Sequence, residues 1–128
     1  MAVEIDPHAL DAQVPHLLLQ PLVENAIRHG VSPRMSAGRV SVSARRENGR
    51  VEIEIADNGR GIPNGTPRVE GVGLRNTRAR LEQLYGNEFR LELANGPAGG
   101  AIARLELPYK TGSEEEPLDQ QIVAVVER

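Results

Sequence analysis

Aromatic residues are almost missing from this chain of 128 residues, which has one Phe, two Tyr and no Trp. Its core must therefore be built from Leu, Val, Ile and Ala, and stacking a base between rings is not available as the main binding mode. Cysteine is absent altogether, which excludes disulfides and cysteine-rich zinc sites and gives no hint of an oxidising compartment. No apolar run approaches the roughly 20 residues of a membrane span, and no signal-peptide pattern is visible. Positive charge is in deficit: 15 Lys and Arg against 18 Asp and Glu leave a net charge of −3. Nucleic-acid binders need a basic surface, so that class is disfavoured. The expectation is a soluble, most simply cytoplasmic polypeptide that contacts neither nucleic acid nor membrane. The length fits one domain with a working core. A strand pattern that begins so close to Met1 also suggests a piece of a longer protein.

What is present falls into a clear order. Val3-Glu4-Ile5 could be a short first strand. From Pro15 to His29 the pattern is helical, with Leu19, Leu22, Val23, Ala26 and Ile27 on one face and Glu24, Asn25 and Arg28 on the other. Pro21 lies inside this pattern and either kinks the helix or marks its true start, and Gly30 suits its end. Val40, Val42 and Ala44 alternate with serines, Asn48-Gly49 turns the chain, and Val51, Ile53 and Ile55 alternate with glutamates, which predicts a hairpin. Residues 58–72, rich in Gly, Pro and Asn, predict an irregular, mobile loop. A second helix is expected over 73–85 with Leu74, Leu81 and Leu84 inward, closed by Gly86. Phe89, Leu91 and Leu93 alternate as a strand, and Ala103, Leu105 and Leu107 form the last strand before Pro108. The pattern predicts an α+β fold, a two-layer arrangement of an antiparallel-rich sheet with both helices on one face. Residues 1–109 are expected to form the domain. Residues 110–128 read as an acidic linker and a tail whose apolar residues (Ile122, Val123, Val125, Val126) have no clear period.

Three segments carry the chemistry. Asp57-Asn58-Gly59-Arg60-Gly61-Ile62 follows directly on the strand ending at Ile55. It delivers one acid into a turn whose glycines allow close approach of a ligand, although the same residues also describe a strand ending in an Asn-Gly turn. The polar face of the first helix offers a carboxylate, an amide and a guanidinium at Glu24, Asn25 and Arg28. Asn is a neutral oxygen ligand suited to hydrated Mg²⁺, and Arg suits phosphate oxygens; a solvated helix face is the plainer alternative. Gly71-Val72-Gly73-Leu74-Arg75-Asn76 opens the second helix, where backbone N–H groups form an anion site. Between Asn58 and Arg80 five arginines (60, 68, 75, 78, 80) face one acid, Glu70. This local excess in an acidic chain favours a polyphosphate. The Gly-x-Gly is not a Rossmann fingerprint, because no parallel βαβ unit surrounds it.

In this order the three segments resemble the sensor histidine kinases. Leu19-Gln20-Pro21-Leu22-Val23-Glu24-Asn25-Ala26-Ile27-Arg28-His29-Gly30 is similar to their N box, the Asp57 segment to their G1 box, and Gly71 to Leu81 to their G2 box. The wording of the N box and the Arg80-Leu81 to Leu84-Tyr85-Gly86 ending are those of the LytS-like subfamily, and the resemblance runs from about residue 3 to Pro108. It implies a Bergerat-type ATP-binding domain with a flexible lid, an α/β sandwich that binds ATP with Mg²⁺. The resemblance implies that Asp57 accepts a hydrogen bond from the adenine amino group and that Gly59, Gly61 and Ile62 shape the adenine pocket. It makes Asn25 the Mg²⁺ ligand and sets Arg28 and His29 near the phosphates. Gly71, Gly73 and Leu74 belong to the lid and the phosphate-facing helix start, with Asn76 one turn in. Glu24, Asn25 and Arg28 are the candidate catalytic residues. The implied partners are a dimerisation domain bearing the phosphoacceptor histidine, and a response regulator.

The chain departs from this pattern at several points. Pro21 stands where many relatives have Glu or Asn, Ala101 where Thr is common, and the aromatic F box is missing. The subfamily's acceptor lies in a Pro-His-Phe-x-x-Asn context on an upstream helix, which Pro7-His8-Ala9-Leu10 mimics only superficially. His16 and His29 are expected to be structural or solvent-facing. Pro21 and Ala101 leave open a nucleotide-gated interaction module without phosphoryl transfer. An anti-sigma-factor-type serine kinase would share the fold.

Overall fold

Alternating side chains settle the layout of the sheet. In the computed structural model, which describes residues 2–9, 12–14, 18–25, 40–57, 72–95, 100–109, 116–118 and 120–122, strands β3 (Val40–Glu47) and β4 (Arg50–Asp57) form the expected hairpin. Asn48 and Gly49 both take positive φ, 53° and 75°, as the tight turn requires. The register pairs Val40 with Asp57, Val42 with Ile55 and Ala44 with Ile53, so every buried residue of β3 meets a buried residue of β4. β4 pairs on its far side with β6 (Ala101–Pro108), and β6 with β5 (Arg90–Asn95), both antiparallel. β1 (Ala2–Ile5) joins the other edge parallel to β3, giving a mixed five-stranded sheet in the order β1-β3-β4-β6-β5. The two-layer α+β expectation holds, with antiparallel pairing throughout except at β1.

One face of this sheet is aliphatic. Val42, Val51, Ile53, Ile55, Leu91, Leu105 and Leu107 share a core with Leu19 and Leu22 of helix α1 (Leu19–Asn25) and with Leu74 and Leu81 of helix α2 (Val72–Tyr85). The opposite face is a lattice of charge. Arg45 pairs with Glu52 at 3.0 Å, Arg104 with Glu54 at 3.0 Å and Arg50 with Glu106 at 2.6 Å. The hydrogen bond to Glu52 also pushes the Arg45 guanidinium above its usual pKa. Such half-exposed pairs contribute little each, but they keep an open sheet face soluble. A depression of about 560 Å³ on this face is lined by Glu4, Asp6, Glu52 and Glu54 with Arg45, a set that would repel phosphates.

The helices correct the sequence reading at three points. Leu18 is not helical, so α1 starts at Leu19 rather than Pro15. Pro21 is then its third residue. The first four N–H groups of a helix have no intrahelical acceptor, so the missing donor costs nothing there and no kink follows. In α2, Leu84 is 49% exposed and Tyr85 takes the inward place. At 3.6 residues per turn Tyr85 falls about 40° from the line through Leu81, while Leu84 falls about 60° to the other side. Val72 is already helical, one residue earlier than expected. Gly86 ends the helix with φ 64° and its N–H on the Glu82 carbonyl at 2.8 Å, the left-handed close expected of glycine.

A second, two-stranded sheet has no counterpart in the sequence reading. β2 (Gln13–Val14) pairs antiparallel with β7 (Glu116–Pro117), and Leu118, in the tail, is fully buried in the core. The expected continuations of α1 beyond Asn25 and of the loop over 58–71 lie outside the described residues.

Candidate functional site

β4 carries one acid into the aliphatic face. Residues Val51, Ile53 and Ile55 point inward by the period of two, and Asp57 is the next in that series. It is 8% exposed, on the strand's last residue, opposite Val40. A buried carboxylate must be hydrogen-bonded. Asp57 Oδ1 accepts the backbone N–H of Ala101 at 3.3 Å, from the first residue of β6. Gly100, with φ 74°, makes the approach that aims this N–H. The contact is long for a hydrogen bond, and a carboxylate accepts up to about four, so the group can serve further donors.

α1 lies on the same side of the sheet, with Leu19, Leu22 and Val23 buried in the shared core. Glu24 is half-buried and accepts the Gln20 side-chain amide at 3.2 Å, an i, i+4 contact along the helix. Asn25 is the last described residue of α1. α1 packs against α2, whose first turn holds Gly73 and Leu74 and contains no acid. That turn itself thus supplies no acidic side chain to compete for an anion at its N–H groups. Leu74 is a core residue, while Arg75 and Asn76 are exposed. Asp57, α1 with Glu24, and the start of α2 thus all belong to the helical side of one sheet. Arg28, His29, Gly59, Gly61, Ile62 and Gly71 lie outside the described residues.

Two features of the site escape a reading of the motifs alone. The Ala101 backbone N–H is one; the glycines before it hinted at close approach but not at a partner. Gln121 is the other, since its side chain accepts the N–H of Leu19 at 3.0 Å across 102 positions of sequence. The signal was available in the wrong place. Leu17-Leu18 offers no side-chain oxygen to cap α1, so a cap had to come from elsewhere. His8 sits in a three-residue 3-10 turn, Pro7–Ala9, rather than on a long helix.

The family model described as "Histidine kinase-, DNA gyrase B-, and HSP90-like ATPase" matches residues 10–111. The sensor histidine kinase BtsS of Escherichia coli (strain K12) is 37% identical over 98 residues, covering 77% of this chain and 17% of that protein. The sensor protein LytS of Oceanobacillus iheyensis is 30% identical over 122 residues, covering 85% of this chain and 21% of that protein. The chain thus spans about a fifth of the length of the curated relatives it matches. Among solved structures, histidine kinase ThkA in complex with the response regulator TrrA superposes with a TM-score of 0.65 at 20% identity, over 85% of this chain and 34% of that one. That likeness establishes the Bergerat-type architecture. A family match over most of the sequence, on a fold shared with a histidine kinase, places the chain in the histidine kinase-, DNA gyrase B- and HSP90-like ATPase family.

Proposed function

We propose that the chain is the ATP-binding catalytic domain of a LytS-like two-component sensor histidine kinase, working on the cytoplasmic side. The observation that carries this reading is the buried Asp57, an acid that the period of β4 turns inward at the strand's end. An acceptor there suits the exocyclic amino group of adenine. Asn25, Arg28 and His29 would face the phosphates from α1 and its continuation, and the start of α2 would meet them with backbone N–H groups. A lone Asn donor fits Mg²⁺, which keeps most of its waters and binds through substrate phosphates rather than a protein cage. Among the described residues no three His, Asp or Glu converge on a metal position. Mg²⁺, when bound, would neutralise phosphate charge.

The reaction of the intact kinase would move the γ-phosphoryl of ATP to an imidazole nitrogen of the acceptor histidine, releasing ADP, and from there to an aspartate of a response regulator. This domain contributes position and charge, not a covalent intermediate. Alone it should bind nucleotide and turn over little. The test supplies a separately made acceptor-helix domain with γ-labelled ATP. Label on histidine supports the kinase, and label on serine supports the anti-sigma-factor-type alternative. Binding without transfer supports an interaction module, the reading that Pro21 and Ala101 leave open.

A further inference from the structure

The tail beyond the last sheet strand is bound to the root of α1 by three separate contacts. β7 pairs with β2, with Gln13 opposite Pro117 and Val14 opposite Glu116. The Leu118 N–H donates to the Ala12 carbonyl at 2.9 Å, and the Leu118 side chain is fully buried. Gln121, 4% exposed, accepts the Leu19 N–H, and Ile122 beside it is buried as well. Each contact falls on the segment that leads into α1 or on its first residue.

The last of these contacts matters most, because α1 cannot cap itself. Its preceding residues are leucines, and its third residue, Pro21, has no N–H. The Leu19 N–H is thus one of three donors in the first four positions, and it is buried where water cannot serve it. Asp57 is anchored differently, by the sheet and by Ala101. The two ends of the site therefore hang on different parts of the chain.

We propose that residues 116–118 and 120–122 form a clamp that sets the position of α1, with Gln121 as a positioning residue for the metal-and-phosphate end of the site. The inference rests on the ATP-binding reading above. It separates two quantities that ordinary destabilisation would change together. Loosening α1 weakens what Asn25, at its far end, contributes, which is the Mg²⁺-dependent part of nucleotide affinity. It leaves the adenine end, read by Mg²⁺-free nucleotide, in place.

The experiment is calorimetric titration of the full chain with ATP, with Mg²⁺ and with EDTA, for wild type, Gln121→Leu and Gln121→Glu. Leu keeps the volume and removes the acceptor; Glu keeps an acceptor oxygen at the same reach and suits a helix start. Loss of a helix cap corresponds to about a fivefold to tenfold effect. Gln121→Leu should lose about that much affinity for Mg-ATP, change little in EDTA, and be rescued by Gln121→Glu. Equal losses in both conditions, no loss, or failure of Glu to rescue would overturn the clamp. If Gln121→Leu does not fold, Gln121→Asn, which withdraws the oxygen by one methylene, takes its place in the same two titrations: a loss confined to Mg-ATP supports the clamp, and equal losses or none overturn it. Absence of ATP binding by the wild type would overturn the functional reading first, and the clamp's role with it.

Discussion

Asp57 and Ala101, 44 residues apart, are joined by a 3.3 Å hydrogen bond from the Ala101 N–H to Asp57 Oδ1, which ties the end of β4 to the start of β6. Because the donor is backbone, the bond does not depend on the side chain at 101. The alanine at 101 therefore leaves the acid anchored.

Asp57→Asn tests that acid. The amide offers one acceptor oxygen where the carboxylate offers two, and it carries no charge. It must divide that oxygen between Ala101 and any ligand. Loss of a charge-assisted bond costs about 1.5–3 kcal/mol, so ATP affinity should fall by roughly tenfold to a hundredfold. The melting temperature should change little, because the bond to Ala101 can be kept.

Pro21→Ala tests where α1 begins. In a helix interior, removing a proline would add about 3 kcal/mol of stability. In the first turn, where the structure sets it, the change should stay within about 1 kcal/mol in urea denaturation. A gain near the interior value would mean that the helix extends further toward Pro15.

Gly86→Ala should cost about 1–2 kcal/mol even though a Cβ there meets nothing within 4 Å. The penalty comes from φ 64° alone. The same substitution at an ordinary φ would be neutral or stabilising, so a thermal melt separates conformational strain from crowding.

The hairpin was legible because a period of two leaves no choice once Val51, Ile53 and Ile55 are assigned to the core. The same holds for the N box face, whose leucines fixed which side of α1 is buried. Asp57, by contrast, read as a turn residue, proves to be the next inward position of β4. The start of α1 was not legible, since Pro15 to Leu18 is as apolar as the helix and periodicity cannot mark a boundary without a cap. Leu84 misled because a leucine at i+3 and a tyrosine at i+4 compete for one place, and tertiary packing decides between them. The tail hid its role most fully. Glu116-Pro117 forms only a two-residue strand, and Gln121 acts across a distance that no local pattern reports. How Asn25, Arg28 and the glycines of 59–71 would act comes from resemblance rather than from pattern.

Everything proposed for the site depends on Asp57 reading adenine through its amino group. Guanine presents a carbonyl oxygen at the corresponding ring position, which a buried carboxylate opposes. Titration of the wild-type chain with Mg-ATP and Mg-GTP tests this directly. The expected result is binding of ATP with GTP weaker by at least about tenfold, the worth of one charge-assisted hydrogen bond. Equal affinity for the two, or no binding of ATP, would contradict it.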